Sequence, residues 1–146
     1  GSGTRFASRG DDSGTNKKEL SLWTESGLKK PEKEDWYLQT GQGMLATIRI
    51  AAQRDAYTMT DRGTYIKYAH SHDGNPPLDI LVEGDSSLFN QYSVIAVHPD
   101  NCPNVKYDMA TRFIDWITSP AVQESIGEFR LLGKKLFHPN ADQSGE

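Results

Sequence analysis

The feature that most constrains this chain is a turn that recurs. Polar, glycine-bearing or capping turns at residues 10–15, at 41–43 and at Thr60-Asp61 each feed directly into a helical pattern. The first opens into 16–24, where Leu20 and Trp23 share a face. Ser13, Thr15 or Asn16 can cap it, Asn16 and Glu19 have capping-box spacing, and Gly27 is placed to end it. The second opens into 44–54, with an apolar stripe of Met44, Ile48, Ala51 and Ala52. The third caps a short helix over 62–69. Between them, 36–38 reads as a short buried stretch and 56–59 as a strand with Tyr57 and Met59 on one face. Further on, 78–82 and 92–97 read as strands. A helix over 105–118 takes its core from Met109, Phe113, Ile114, Trp116 and Ile117. Ser119 and Pro120 start another, with Val122, Ile126 and Phe129 as its stripe. Helices alternating with short apolar strands define an α/β class.

The first few amides of a helix lack intrahelical acceptors, and the helix dipole adds partial positive charge there. Converging helix starts can therefore hold an anion with few formal charges. Arg9 adds a planar, permanently charged donor, and Ser13 and Thr15 add hydroxyls. Ordinary capping explains the same residues equally well, and Arg9 can simply pair with Asp11 or Asp12. Neither glycine turn carries a dinucleotide or P-loop fingerprint.

Composition narrows the classes further. The chain has 146 residues and a net charge of −4, which argues against binding nucleic acid through a broad basic surface. It leaves small anions open, because they answer to local donors. One cysteine, Cys102, excludes an internal disulfide framework and a cysteine-rich zinc site. No stretch reaches the roughly 18 apolar residues of a membrane span. The start, Gly1-Ser2-Gly3-Thr4, carries no basic-then-apolar leader pattern, and residues 1–4 read as a tag or linker on a mature product or cut fragment.

Several blocks resemble the tungstate-binding proteins of ABC transporters. They are 6–20 with Leu22-Trp23, Trp36-Tyr37, 41–44, 56–65, 81–85, 90–97, 113–116 with Ser119-Pro120, and Leu136-Phe137. The resemblance implies a periplasmic-binding-protein-like (type II) lobe, a mixed sheet flanked by helices. It also implies two lobes with the oxyanion between them, of which this chain matches the later portion. The Thr- and Ser-rich anion loop of the first lobe precedes that portion. On this basis 5–91 is expected to form the second-lobe core, 92–139 a crossing strand and C-terminal helices, and 140–146 a frayed tail.

Carried over by position, the resemblance implies Arg9 as a ligand-contacting arginine and Thr15 as a hydroxyl and backbone donor, with Ser13 and Gly14 alongside. Gly43 and Met44 would offer backbone amides, and Thr60 and Asp61 would sit at the cleft edge, Asp61 more as a helix cap than as a ligand group. The expected function is non-catalytic binding of a tetrahedral oxyanion, tungstate or else molybdate, with no cofactor and no direct metal ligand. The expected partners are an ABC permease and the first lobe or a second copy of the chain, in a periplasmic or extracellular setting. The alternative is a regulatory domain or small enzyme using the same site for a phosphate-bearing ligand.

Other candidates are weaker. His70 and His72 alternate as metal ligands on a strand can, but in a polar loop without cysteine. There is no G-x-S-x-G nucleophile elbow, and Cys102 has no evident base. Lys17-Lys18 and Lys134-Lys135 read as solvated faces.

Overall fold

A computed structural model of the chain describes residues 3–141. Residues 1–2 of the expected linker and 142–146 of the expected tail lie outside the described residues. The chain divides into two units, one ending at Leu88 and one beginning at Phe89.

The first unit is a three-stranded parallel sheet with helices on both faces. Strand β1 (Arg5–Ser8), which the sequence pattern did not announce, is the centre of the order β2-β1-β3. Beside it lie β2 (Tyr37–Gln39) and β3 (Ala56–Thr58), in the registers Phe6↔Tyr37 and Phe6↔Tyr57. Helix α1 (Gly14–Glu25) links β1 to β2, α2 (Met44–Gln53) links β2 to β3, and α3 (Arg62–His70) follows β3. All three helices fall within two residues of their expected bounds. Gly27 does end α1. It takes a positive φ of 74°, and the bonds Gly27 N→Thr24 O and Leu28 N→Trp23 O close the helix as a Schellman motif.

Because side chains alternate along a strand, β1 sends Ala7 to one face and Phe6 and Ser8 to the other. On the Ala7 face, Ala7, Ala51 and Ala56 pack together, and Met44, Ile48 and Tyr68 join α2 to α3. On the opposite face Phe6 stacks on Tyr37 at 5.9 Å and meets the edge of Trp23 at 5.5 Å. The face of α1 turned to the sheet is partly polar, with Asn16 and Glu19 its fully buried residues while Leu20 and Trp23 are half-buried.

The second unit holds α4 (Tyr107–Thr118) and α5 (Pro120–Glu128), packed on each other, and a hairpin of β4 (Arg130–Leu131) and β5 (Lys134–Lys135). The hairpin turn puts Leu132 at φ 50° and Gly133 at φ 77°, the left-handed pair that a tight two-residue turn demands. Pro120 occupies the first turn of α5 as expected. The expected core of α4 is not buried in this chain: Met109, Phe113 and Trp116 are each about half exposed or more.

The segments 78–82 and 92–97 do not become strands. Leu78 packs on the core, but Ile80, Leu81, Val82, Tyr92, Val94, Ile95 and Val97 lie exposed and outside any ladder. Strand propensity is mostly the fit of a side chain to a half-buried pleated surface, and no such surface meets these positions. The antiparallel pairing of a mixed sheet is confined, among the described residues, to β4–β5. No helix among the described residues is long and apolar enough to cross a membrane.

Candidate functional site

All three strands of the sheet run the same way, so all three leave it at one edge. That edge carries every residue expected at the site. Arg9, Ser13, Gly14 and Thr15 follow β1, Gly43 and Met44 follow β2, and Thr60 and Asp61 follow β3. The crevice beyond the carboxyl ends of parallel strands is where α/β sheets place ligands. Two of the turns are tied directly, by Thr40 N→Ser8 O at 2.9 Å and Gly41 N→Arg9 O at 2.8 Å. The third is anchored below by Thr58 Oγ1→Ala7 O at 2.7 Å. The first turn needs a glycine. Gly10 has φ 58°, and a Cβ there would stand 2.8 Å from Gln39 Cβ.

The helices begin at Ser13, Gly43 and Asp61, all with extended backbone. The Ser13 hydroxyl accepts Asn16 N–H at 3.4 Å. Both Asp61 oxygens are taken up by Thr64, one by its amide and one by its hydroxyl, each at 2.7 Å, so Asp61 is a cap. Gly43 caps with backbone alone, and the side chain of Met44 is buried in the core, so these two present only main chain to the edge. Gly14 and Thr15, Met44, and Arg62 and Gly63 occupy first-turn positions whose amides lack intrahelical acceptors.

Arg9 pairs with Asp11, Nη2 at 2.6 Å and Nε at 3.1 Å from Oδ2. Hydrogen bonding from Ser13 and then from Arg9 holds the Asp11 carboxyl below its usual value. The clip orients the guanidinium through Nε and Nη2 and, among the described residues, leaves Nη1 free to donate elsewhere.

Beneath the first turn lies a polar network that the sequence reading missed. The buried Glu19 accepts Trp23 Nε1–H and Tyr37 O–H on Oε1, both at 2.7 Å. Its Oε2 accepts the Ser8 hydroxyl and, at 3.5 Å, Asn16 Nδ2–H. Asn16 Nδ2 also donates to Ser8 Oγ at 3.1 Å, and its Oδ1 accepts the Asp12 amide at 3.1 Å. The Gly10 amide donates to Ser8 Oγ at 3.3 Å. The expected capping box is therefore corrected. Asn16 sits inside the helix with Ser13 as cap, and Glu19 points into the interior instead of back to a helix amide. Burial, and then the neighbouring Glu19 carboxylate, push the Tyr37 phenol well above its ordinary value, so it remains a donor. The available sequence signal was the stripe Asn16, Glu19, Trp23 at helical spacing, which a search for apolar periodicity passes over.

The remaining candidates separate from this edge. The His72 ring lies 4.5 Å from that of Tyr68, and its Nδ1 is 2.9 Å from Tyr68 O, a packed loop contact at the end of α3. No group of three metal-ligating side chains occurs among the described residues. Cys102 is exposed in a loop of the second unit.

Comparison with known proteins agrees with this fold. The PBP superfamily domain matches residues 1–121. The chain is 54% identical over 132 residues to the tungstate-binding protein TupA of Campylobacter jejuni, covering 90% of this chain and 49% of that protein. It is 48% identical over 139 residues to TupA of Peptoclostridium acidaminophilum, covering 94% and 46%. The solved tungstate-binding protein TupA of Desulfovibrio alaskensis superimposes with a TM-score of 0.89 at 62% identity, covering 96% of this chain and 56% of that one. The chain thus spans about half the length of the relatives it matches.

Proposed function

This chain belongs to the PBP superfamily, and on that premise we propose that it binds a tetrahedral oxyanion, tungstate first and molybdate second, as the later portion of the substrate-binding component of an ABC transporter. The observation that carries the reading is the arrival of three helix starts at one edge of a parallel sheet, with first-turn amides left over. Similarity to proteins named for tungstate binding supports the choice of anion.

In this reading Arg9 is the charged clamp, already oriented by Asp11. Gly14 and Thr15 donate main-chain N–H groups, the Thr15 hydroxyl adds a further donor, and Ser13 shapes the turn. Gly43 and Met44 contribute backbone at the second helix start. Thr60 and Asp61 border the site, Asp61 through its cap. Hydrogen bonds to a charged partner contribute about 1.5–3 kcal/mol each, so a handful of neutral donors and one arginine can hold a dianion on an acidic protein. The protein is a receptor and not an enzyme, with no resident cofactor. The ligand passes to a membrane permease from a periplasmic or extracellular position. The part of the relatives that this chain does not span supplies the remaining donors and covers the apolar side chains left exposed from Ile80 onward.

Thermal shift with tungstate, molybdate, sulfate, phosphate and nucleotides tests this. Tungstate should raise the melting temperature of this chain, and more so that of a two-lobe version. Stabilisation by phosphate or nucleotides without tungstate would replace the reading with that of a phosphate-binding regulatory domain or enzyme. Arg9→Ala should abolish the tungstate shift while the unliganded melting temperature stays within a few degrees, and an unchanged shift would remove Arg9 from the site.

A further inference from the structure

We infer that Glu19 is a positioning residue for the oxyanion loop, and that its two oxygens divide the work. Oε1 fastens α1 to β2 through Tyr37 and is steadied by Trp23 on its own helix, while Oε2 sets the loop through Ser8 and Asn16. The inference rests on the proposed oxyanion reading for its consequence in binding, but its geometry stands independently of any ligand.

Ser8 has one proton and two lone pairs. The proton goes to Glu19, and the lone pairs receive the Gly10 amide and Asn16 Nδ2–H. Asn16 has its amide protons on Ser8 and Glu19 and its carbonyl on the Asp12 amide. Two loop amides, Gly10 and Asp12, are thereby turned inward and satisfied. That leaves the Gly14 and Thr15 amides at the open edge. Among the described residues no buried side-chain polar atom lacks a partner.

Only an acceptor at both oxygens satisfies this arrangement. A glutamine with its NH2 at the Oε1 position would face Trp23 Nε1–H, which can only donate. With its NH2 at the Oε2 position it would face Asn16 Nδ2–H and press a third donor on Ser8, whose own proton would lose its acceptor. Either orientation leaves a donor facing a donor in a buried site, where an unmade hydrogen bond is costly. The first orientation spares Ser8 and Asn16 but sets an NH2 against an indole that can only donate, while the second keeps Trp23 and Tyr37 bonded and meets a Ser8 hydroxyl that can rotate. Glu19→Gln therefore takes the second orientation and strikes the loop, whereas Tyr37→Phe removes a donor from the far oxygen only.

The test has two arms on the same purified chain. Amide hydrogen exchange without ligand is expected to show Gly10 and Asp12 opening at least tenfold faster in Glu19→Gln, measured against Ile48 and Ala51 of α2. In Tyr37→Phe they should stay within twofold. Ser8→Ala, the milder variant should Glu19→Gln fail to fold, should expose Gly10 and spare Asp12. Calorimetry with sodium tungstate should show the dissociation constant rising at least tenfold in Glu19→Gln and little in Tyr37→Phe. Loop exchange unchanged in Glu19→Gln, or Tyr37→Phe and Glu19→Gln moving both readouts alike in proportion to lost global stability, overturns the inference. If the unaltered chain ignores tungstate, the functional reading fails and the exchange arm alone decides the role of Glu19.

Discussion

The two units of this chain were written in the same sequence language and reached different ends. Every fully buried apolar side chain among the described residues, from Ala7 to Tyr68, lies in the first unit. The second unit has comparable helix patterning, and α4 is strongly amphipathic, yet none of its described residues is fully buried. Amphipathicity specifies that a helix has a face to bury. It does not supply the surface that buries it. In the first unit the sheet is that surface, clamped between α1 on one side and α2 on the other. In the second, α4 and α5 have each other and a two-residue-stranded hairpin, so Phe113 and Trp116 pack on each other at 5.6 Å with about half their surface in water.

The largest expected effect sharpens that contrast. Ile48→Ala should cost about 2–5 kcal/mol in denaturant unfolding, since it empties a fully buried site between α2 and α3. Phe113→Ala should cost a small fraction of that in this chain. Equal losses would break the comparison and mean that the second unit has a core of its own in solution.

A smaller effect is expected at the site edge. Asp61→Ala removes two hydrogen bonds to Thr64 and should destabilise α3 by about 1 kcal/mol, read as a lowered midpoint in urea. Smallest is an acid effect at the first turn. The folded chain holds Asp11 below the ordinary 3.8, so the ionised form is the one favoured by folding. Its contribution is complete above that unfolded value and is lost as pH falls through the lower folded one. Asp11→Asn should accordingly flatten the fall in melting temperature below about pH 4. An unchanged acid profile would mean that the hydrogen bonds from Ser13 and Arg9 to Asp11 add nothing to stability.

The helix starts were the most legible part of the chain. Ser13 and Asp61 cap as their chemistry suggests, because capping depends on a side chain and an amide two or three residues away. Gly27 and Pro120 were legible for the same local reason. Strand β1 was not, being four residues, Arg5–Ser8, with no alternation that marks a strand by itself. Nor was the absence of ladders at 78–82 and 92–97, since a strand is made by its neighbour. Glu19 was visible as a residue and misread as a capping partner, because its real partners, Ser8 and Tyr37, come from two different strands.

By itself, then, the sequence determined the α/β alternation and the caps at the helix starts, consequences of contacts within a few residues along the chain. Tertiary structure decided which of them meet. Parallel pairing of β1 with both neighbours turned three separate helix starts into one edge. A carboxylate buried between α1 and the sheet became the support beneath that edge, because only there do donors from distant segments converge on two oxygens shielded from water.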